Sequence, residues 1–345
     1  MTPNWQTTFK DFPEIPPKKR WQDNSLISLE QEIALKYIKQ QNISSEEEEN
    51  FKEILQFYKL LDQKLQDFDY SLLSDIERKS FKGYILYAFN YLPTVSNMLT
   101  IFSTYRMVLN ESVLGKNERI TNIKYLKNPT LEIVQKIGRY NRANSTDTTV
   151  FYSSESIDTN LKELRPPLNK RVTVGIWRPK TDRKFLSYAI SHGKEAIKNN
   201  AGAAKATQAF EQIKPYNSPL FIEYIENYLN LLGREFSKTV SHHLEYLTSS
   251  ILSEQILHGK ESDASENFEC IIYPSVGNNF KTDNIAMRVD IFENNFYLEK
   301  VIEFEIKEAF YDDPSLAEQA DEITLADIIK VAITTEIDKD GNISW

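Results

Sequence analysis

The 345-residue chain contains one cysteine, Cys270, and only four histidines. A single cysteine excludes an internal disulfide framework and any zinc site built from several cysteines. Four histidines leave little for a histidine-rich metal centre. We therefore predict no metal site, and the solitary cysteine indicates a cytoplasmic protein.

The sequence also lacks a long hydrophobic run. Its most apolar stretch, residues 84–92, has about nine residues and is followed by Pro93, whereas a membrane span needs about 20. Residues 1–22 lack the apolar core of a signal peptide. We expect no membrane association.

The chain also has no excess of basic side chains. The chain has 41 basic and 50 acidic side chains, a formal net charge of −9, which argues against a nucleic-acid-binding protein. The charge is uneven: residues 135–180 hold nine basic and four acidic side chains, whereas residues 291–345 hold four and fourteen. The cationic middle could hold an anionic small molecule.

The hydrophobic pattern predicts an α+β fold in which a helical N-terminal region, residues 1–102, precedes a mixed β-sheet domain, residues 103–310. An acidic tail, 311–345, is expected to hold a hairpin turning at Asp340-Gly341. Helical spacing covers 26–41, 51–65, 70–92, 95–103, 131–137, 193–213 and 220–257. Strands are predicted over 105–109, 149–153, 172–177, 271–273, 285–292 and 301–306.

No glycine-rich phosphate loop, dinucleotide fingerprint or nucleophile elbow occurs. One segment carries other chemistry: Arg139 and Arg142 precede a predicted strand with Tyr152, and Glu163 follows eleven residues later. Arginine binds phosphate through a planar fork of donors, tyrosine offers a flat face to a cationic ring, and glutamate can stabilise positive charge. From the residues alone, a structural Arg142–Glu163 ion pair with Tyr152 in the core is the favoured interpretation.

These residues resemble the RES domain family, which is named for its Arg, Glu and Ser. The resemblance spans residues 103–292 and rests on the order and spacing of several short motifs. They are Tyr105-Arg106, Arg142-Ala143-Asn144, Tyr152, Glu163, Tyr246-Leu247-Thr248, Tyr273-Pro274-Ser275 and Asn284-Ile285-Ala286. Arg139 is a rival for the arginine role, although the spacing favours Arg142.

The resemblance implies an ADP-ribosyltransferase-like fold and an enzyme that consumes NAD and releases nicotinamide. NAD is then a substrate rather than a bound cofactor, and inorganic phosphate is a candidate co-substrate. Glu163 would stabilise the cationic ribose, Tyr152 would stack on nicotinamide, and Arg142, with Arg106 or Arg139, would hold the pyrophosphate. Ser275 would place a phosphate, water or the ribose, and Asn284 would orient its loop.

Many members of the family are toxins paired with an antitoxin, so a cognate antitoxin protein is the expected partner. We also expect a homo-oligomer. Two other functions stay open: transfer of ADP-ribose to a protein or nucleic acid, and a non-enzymatic interaction scaffold with a vestigial site. The helical N-terminal region could dimerise, bind an antitoxin or shield the site, although amphipathic helices are also what any helical core needs.

Overall fold

The computed structural model describes residues 9, 11–19, 27–90, 96–191, 193–259, 268–309 and 326–345. The chain divides into two compact units that alternate along the sequence. Unit 1 comprises Met1–Ser96, Gly138–Thr148 and Tyr188–Phe268, and unit 2 comprises Asn97–Ile137, Thr149–Ser187 and Glu269–Trp345. The division expected from the sequence is instead linear, with boundaries at residues 102 and 310.

The described residues form eleven α-helices: α1 (Leu29–Ile38), α2 (Ser45–Gln66), α3 (Asp75–Ala88), α4 (Asn110–Leu114), α5 (Leu131–Ile137), α6 (Ile157–Leu164), α7 (Gly193–Asn199), α8 (Ala201–Ile213), α9 (Pro219–Ser237), α10 (Leu247–His258) and α11 (Val289–Asn295). They also form nine strands: β1 (Ser96–Thr100), β2 (Thr104–Leu109), β3 (Val150–Ser154), β4 (Arg171–Pro179), β5 (Lys184–Ala189), β6 (Cys270–Pro274), β7 (Asp283–Arg288), β8 (Phe296–Ala309) and β9 (Ala326–Thr334). No helix in this described part of the chain is long and apolar enough to cross a membrane.

Local sequence signals explain the start and the buried face of α2 in unit 1. The Ser44 hydroxyl accepts from the Glu47 amide at 3.2 Å, and the Glu47 carboxylate accepts from the Ser44 amide at 2.8 Å. This capping box satisfies two backbone donors that the first helical turn leaves free. Every residue of the predicted apolar stripe is buried: Phe51, Ile54, Leu55, Tyr58, Leu61 and Leu65.

The buried stripe of α2 packs against aromatic side chains of α9, which lies far along the chain in the same unit. The rings of Phe51 and Tyr224 are 4.8 Å apart, and those of Tyr58 and Tyr224 are 5.7 Å apart. Phe221 stacks on Tyr37 of α1 at 5.2 Å. The core of unit 1 therefore depends on helices separated by more than a hundred residues.

A charged pair lies inside unit 1. The side chains of Lys19 and Glu30 are fully buried and form an ion pair. The Lys19 ammonium also donates to the Tyr58 hydroxyl at 2.8 Å, and Glu30 accepts from the Tyr224 hydroxyl at 2.9 Å. Burial lowers the pKa of Lys19, and the neighbouring Glu30 opposes that shift. The pair joins the N-terminal segment to α1, α2 and α9.

Unit 2 is built on a nine-stranded sheet with the order β1-β5-β6-β7-β3-β2-β4-β8-β9, and the strand pairs β2–β3, β2–β4, β3–β7, β4–β8, β6–β7 and β8–β9 are antiparallel. The fold is therefore mixed α and β, as predicted at that level. One face of the sheet carries the larger core, with Phe151, Trp177 and Phe292 among its side chains. The other face carries a smaller core, in which Leu161 of α6 packs on the strands.

Cys270 lies in the larger core at the start of β6 and has no exposed surface. Burial raises the pKa of its thiol, because the surrounding apolar side chains disfavour the thiolate. Cys270 is therefore a buried side chain of the apolar core.

The structure corrects several predicted elements. The helix predicted over 95–103 is wrong, since residues 96–100 form β1 beside β5. The single helix predicted over 220–257 is two helices, because a 3₁₀ turn at His243–Tyr246 separates α9 from α10. The strand predicted over 285–292 ends at Arg288, where α11 begins.

The C-terminal residues contribute to the sheet of unit 2. Strand β9 pairs with β8, and an antiparallel bridge joins Ile337 to Ile343. Gly341 adopts φ +80° between them, a left-handed conformation that glycine accommodates without strain. The predicted turn at Asp340-Gly341 is therefore confirmed, whereas residues 310–325 lie outside the described part.

Candidate active site

Helix α6 carries Glu163 and is fixed to the sheet of unit 2 at its first turn. The Ser156 hydroxyl caps the helix by accepting from the Thr159 amide at 3.1 Å. The Asn160 side-chain amide donates to the Tyr105 carbonyl at 3.0 Å and to the Ser154 hydroxyl at 2.7 Å. These bonds hold the helix over the smaller core and place Glu163 in its last turn.

Strands β6 and β7 place Ser275 and Asn284 next to Glu163. They form an antiparallel pair in which Tyr273 lies opposite Asn284, and Ser275 begins the loop that joins them. The Ser275 amide donates to the Thr282 carbonyl at 2.8 Å and so closes the loop over 275–282. Ser275 is fully buried, and Asn284 is nearly so.

Three donors converge on one oxygen of the Glu163 carboxylate. Oε1 accepts from the Ser275 hydroxyl at 2.5 Å, from the Asn284 side-chain amide at 2.9 Å, and from the Gly277 amide at 3.3 Å. Charge-assisted hydrogen bonds of this kind are short and orient the carboxylate strongly. The other oxygen, Oε2, has no hydrogen-bond partner among the residues that the structure describes, so it can accept from a ligand.

The loop over 275–282, here called the serine loop, is tied to α6 at two further points. The Lys162 ammonium donates to the Asn278 side-chain carbonyl at 2.5 Å, and the hydroxyls of Thr159 and Thr282 are 2.7 Å apart. Burial lowers the pKa of Lys162, and the nearby Lys281 adds to that shift. A cationic side chain therefore lies next to Glu163 in sequence and anchors the loop.

Gly277 allows this close approach between the serine loop and α6. A Cβ at this position would lie 2.7 Å from the Lys162 carbonyl oxygen and 3.2 Å from the Cα of Glu163. Neither atom belongs to a flexible side chain, so any larger residue would push the loop away from the helix. The absence of a side chain at Gly277 therefore brings its amide within reach of Glu163.

Tyr152 lies on β3, the strand next to β7, which follows the serine loop. The register pairs Tyr152 with Ala286 and Ser154 with Asn284. Because alternate residues of a strand point to opposite faces, Tyr152 shares a face with Asn284, which is the face that α6 covers. Its side chain is half-buried.

Arg106 lies on the opposite face of the same sheet. Its guanidinium is 5.7 Å from the Phe151 ring in the larger core, and Nη1 donates to the Tyr152 carbonyl at 3.0 Å. The ladder between β2 and β3 has one residue pair, Tyr105 with Ser154, so this bond bridges strands that have separated. Burial lowers the pKa of Arg106 to about 10. The structure does not bring Arg106 together with Glu163.

Arg142 and Arg139 belong to unit 1. The Arg142 guanidinium donates to the carbonyls of Phe236 and Lys238, the second at 3.0 Å, and lies 4.9 Å from the centre of the Tyr246 ring. It therefore caps the carboxyl end of α9, where a cation is favoured. Arg139 is exposed.

Of the seven predicted site residues, the structure joins Glu163, Ser275 and Asn284 by direct hydrogen bonds and puts Tyr152 on their side of the sheet. Sequence reasoning missed Gly277 and Asn160. Gly277 stands two residues after Ser275, where a glycine signals a close backbone approach. Asn160 gave no comparable signal, because its partners lie on β2 and β3.

No group of three histidine, cysteine, aspartate or glutamate residues among the described residues could hold a metal ion. The chain matches no protein-family model, no curated protein sequence and no solved structure.

Proposed function

We propose that the chain is a RES-like, NAD-consuming enzyme that cleaves the bond between nicotinamide and ribose. The observation that carries the proposal is the oriented carboxylate of Glu163. Its Oε1 is bound by Ser275, Asn284 and Gly277, and its Oε2 has no hydrogen-bond partner in the described part of the chain. An ADP-ribosyltransferase-like arrangement of the sheet in unit 2 is part of the proposal.

The chemistry suits this carboxylate. Departure of nicotinamide leaves positive charge on the ribose, and a carboxylate beside a sugar stabilises such an oxocarbenium-like state. Glu163 Oε2 would accept from a ribose hydroxyl and direct its negative charge at the developing cation. Because Oε1 is already held by three donors, the carboxylate needs little reorganisation during the reaction.

The other predicted residues contribute to this proposal unequally. Tyr152 stays the candidate for stacking on nicotinamide, because it shares the sheet face with Asn284. The role of Arg142 and Arg139 at the pyrophosphate stays a prediction from the resemblance, since both belong to unit 1 and the Arg142 guanidinium is bound to the carbonyls of Phe236 and Lys238. Arg106 is left out, because its Nη1 donates to the Tyr152 carbonyl on the opposite face.

The test is to incubate the purified chain with NAD and to measure the released nicotinamide by chromatography. Glu163→Gln keeps the shape and the Oε1 acceptor but removes the charge, and we expect nicotinamide release to fall by about 10²–10³-fold. Asp158→Asn is the matched control, since this exposed carboxylate lies on the same helix. Equal rates for Glu163→Gln and the parent would refute the role of Glu163.

The same assay separates the acceptors. Reactions with and without inorganic phosphate distinguish phosphorolysis from hydrolysis, and labelled NAD reveals transfer of ADP-ribose to a protein or nucleic acid. Absence of nicotinamide release under every condition would favour a non-enzymatic scaffold. The proposal includes a toxin role with a cognate antitoxin. Growth arrest should then accompany the loss of NAD, and Glu163→Gln should relieve the growth arrest.

A further inference from the structure

Two lysines of unit 2 lie near each other where the serine loop meets α6. The Lys162 ammonium donates to the side-chain carbonyl of Asn278, and the Lys281 amide donates to the backbone carbonyl of Asn278 at 3.0 Å. The ammonium group of Lys281 is close enough to add to the lowering of the Lys162 pKa. Lys162 is half-buried and Lys281 is exposed, so the pair can be reached from solvent.

The charges around this pair favour an anion. Neither lysine forms an ion pair with a carboxylate in the described part of the chain, although Asp158, one turn earlier on α6, offsets part of the repulsion on Lys162. Arg165 adds a third cation at this end of α6, since its Nε donates to the Lys162 carbonyl at 3.3 Å. Like charges held near each other repel, and a bound anion would relieve that repulsion.

The dipole of α6 does not explain both lysines. A cation is favoured at the carboxyl end of a helix, and Lys162 lies in the last turn of α6. Its ammonium is directed at the side chain of Asn278, however, and Lys281 belongs to the loop rather than to a helix. The loop therefore brings a second cation to a helix end that already has one.

The serine loop also binds Glu163, so the lysine pair and the carboxylate share one support. Ser275 and Gly277 donate to Glu163 Oε1, and Asn278 accepts from Lys162. The Asn278 amide donates to the Ser275 hydroxyl at 3.2 Å, so these two attachment points are adjacent. Three residues of chain span at most about 11 Å. A ligand that contacts Glu163 could therefore also reach the lysines.

A dinucleotide would need cations at this position. In the proposed reaction the ribose next to nicotinamide contacts Glu163, and the diphosphate is bonded to that same ribose. The Glu163 carboxylate would repel the diphosphate unless positive charge lies beside it, and lysine binds phosphate as a point charge. Arg106 lies on the opposite face of the sheet, and the Arg142 guanidinium is bound to carbonyls in unit 1.

We propose that Lys162 and Lys281 bind a phosphate group beside Glu163. The expected source is the diphosphate of the dinucleotide, and the other source with the same chemistry is free inorganic phosphate. The identity of the dinucleotide rests on the proposed function, whereas binding of a phosphate group by the two lysines does not require that NAD is cleaved.

The test is a calorimetric titration of the full chain with ADP-ribose, which carries the diphosphate but has no nicotinamide to release. Lys281→Gln should weaken binding by about fivefold, and Lys281→Arg should retain it. The Lys281 side chain makes no hydrogen bond with the residues that the structure describes, so its replacement leaves the serine loop intact.

Lys184→Gln is the matched control, because Lys184 is an exposed lysine of the same unit and has no ion pair among the described residues. It lies in β5 near the start of β6, where the Leu186 carbonyl accepts from the Glu269 amide at 2.8 Å, whereas the serine loop follows the end of β6. Its affinity for ADP-ribose should equal that of the parent.

Titration with inorganic phosphate separates the two sources. Weaker binding of ADP-ribose to Lys281→Gln assigns the lysines to the diphosphate, and phosphate should then compete with ADP-ribose. If Lys281→Gln weakens only the binding of phosphate, and phosphate binds together with ADP-ribose, the lysines hold free phosphate. Equal affinities of Lys281→Gln and the parent for both probes, or no binding of either probe up to about 10 mM, would overturn the proposal.

Failure of this proposal can be told apart from failure of the proposed function. A chain that releases nicotinamide from NAD but binds both probes equally with and without the Lys281 ammonium refutes the phosphate site alone. A chain that binds a probe through Lys281 and releases no nicotinamide retains the phosphate site and loses the NAD-cleaving role.

Discussion

Lys19 and Glu30 show what a single buried charge does in unit 1. Both side chains are fully buried, and each also bonds a tyrosine hydroxyl. Removing two ions from water is costly, and loss of one partner leaves the other charged and uncompensated. Lys18, the preceding residue, forms an ion pair with the exposed Glu53. Two adjacent lysines therefore differ mainly in burial.

We predict that Lys19→Met lowers the free energy of unfolding by about 3–5 kcal/mol, because it leaves the buried Glu30 side chain without its ion-pair partner. Lys18→Met should change it by no more than about 1 kcal/mol. Urea unfolding followed by helical circular dichroism measures both. Similar losses for the two variants would show that burial of the Lys19–Glu30 pair does not decide its contribution.

The two candidate arginines of unit 1 can be distinguished by stability. Arg142→Ala removes the donors that cap the carboxyl end of α9 and should lower the free energy of unfolding by about 1–3 kcal/mol. The exposed Arg139→Ala should stay within about 0.5 kcal/mol of the parent. Thermal unfolding of the two variants without NAD provides the measurement. A stable Arg142→Ala variant would contradict the capping role.

At the scale of elements, the serine loop and α6 depend on one another. The loop supplies Ser275 and the Gly277 amide to Glu163, and α6 supplies Lys162 and Thr159 to the loop. Displacing either element would therefore disturb the carboxylate.

We predict that Gly277→Ala destabilises unit 2 by about 1–3 kcal/mol, because the new Cβ would meet backbone atoms of α6. Nicotinamide release should fall with it, since the Glu163 carboxylate would lose the Gly277 amide and shift against Ser275. Val276→Ala, which adds no atom at the adjacent position, is the control and should cost less than about 1 kcal/mol. Unfolding and activity are measured on the same preparations, and a Gly277→Ala variant that behaves like Val276→Ala would contradict the argument.

The elements also show which parts of the fold the sequence can predict. Helix α5 matches the predicted range, and the buried stripe of α2 is complete, because both follow from signals within one turn or one face. Strand β1 was not predictable, because its partner β5 lies more than eighty residues away. Glu163, Ser275 and Asn284 could be named from a spacing pattern. The carbonyl partners of Arg142 could not, because nothing near Arg142 in sequence points to the end of α9.

At the scale of the whole molecule, the alternation of the two units determines how the chain can be divided. The first helices of unit 1 lie before residue 97, but the α9 rings that cover α2 come from residues 219–237. A fragment that ends at residue 102 would expose the stripe from Phe51 to Leu65.

We therefore predict that residues 1–102 alone do not unfold cooperatively, because the burial of that stripe needs α9. Residues 1–268 retain every stretch of unit 1 and serve as the comparison. Circular dichroism during heating and binding of a hydrophobic dye provide the measurements. A sharp thermal transition in the short fragment would show that the N-terminal helices form an independent domain.

The sealed thiol of Cys270 has a practical consequence. Since the chain has no other cysteine and this one lies inside the sheet, maleimide reagents should leave the native protein untouched. A cysteine introduced on an exposed position of either unit would then be the sole site of attachment for a spin probe or fluorophore, with no native residue to remove first.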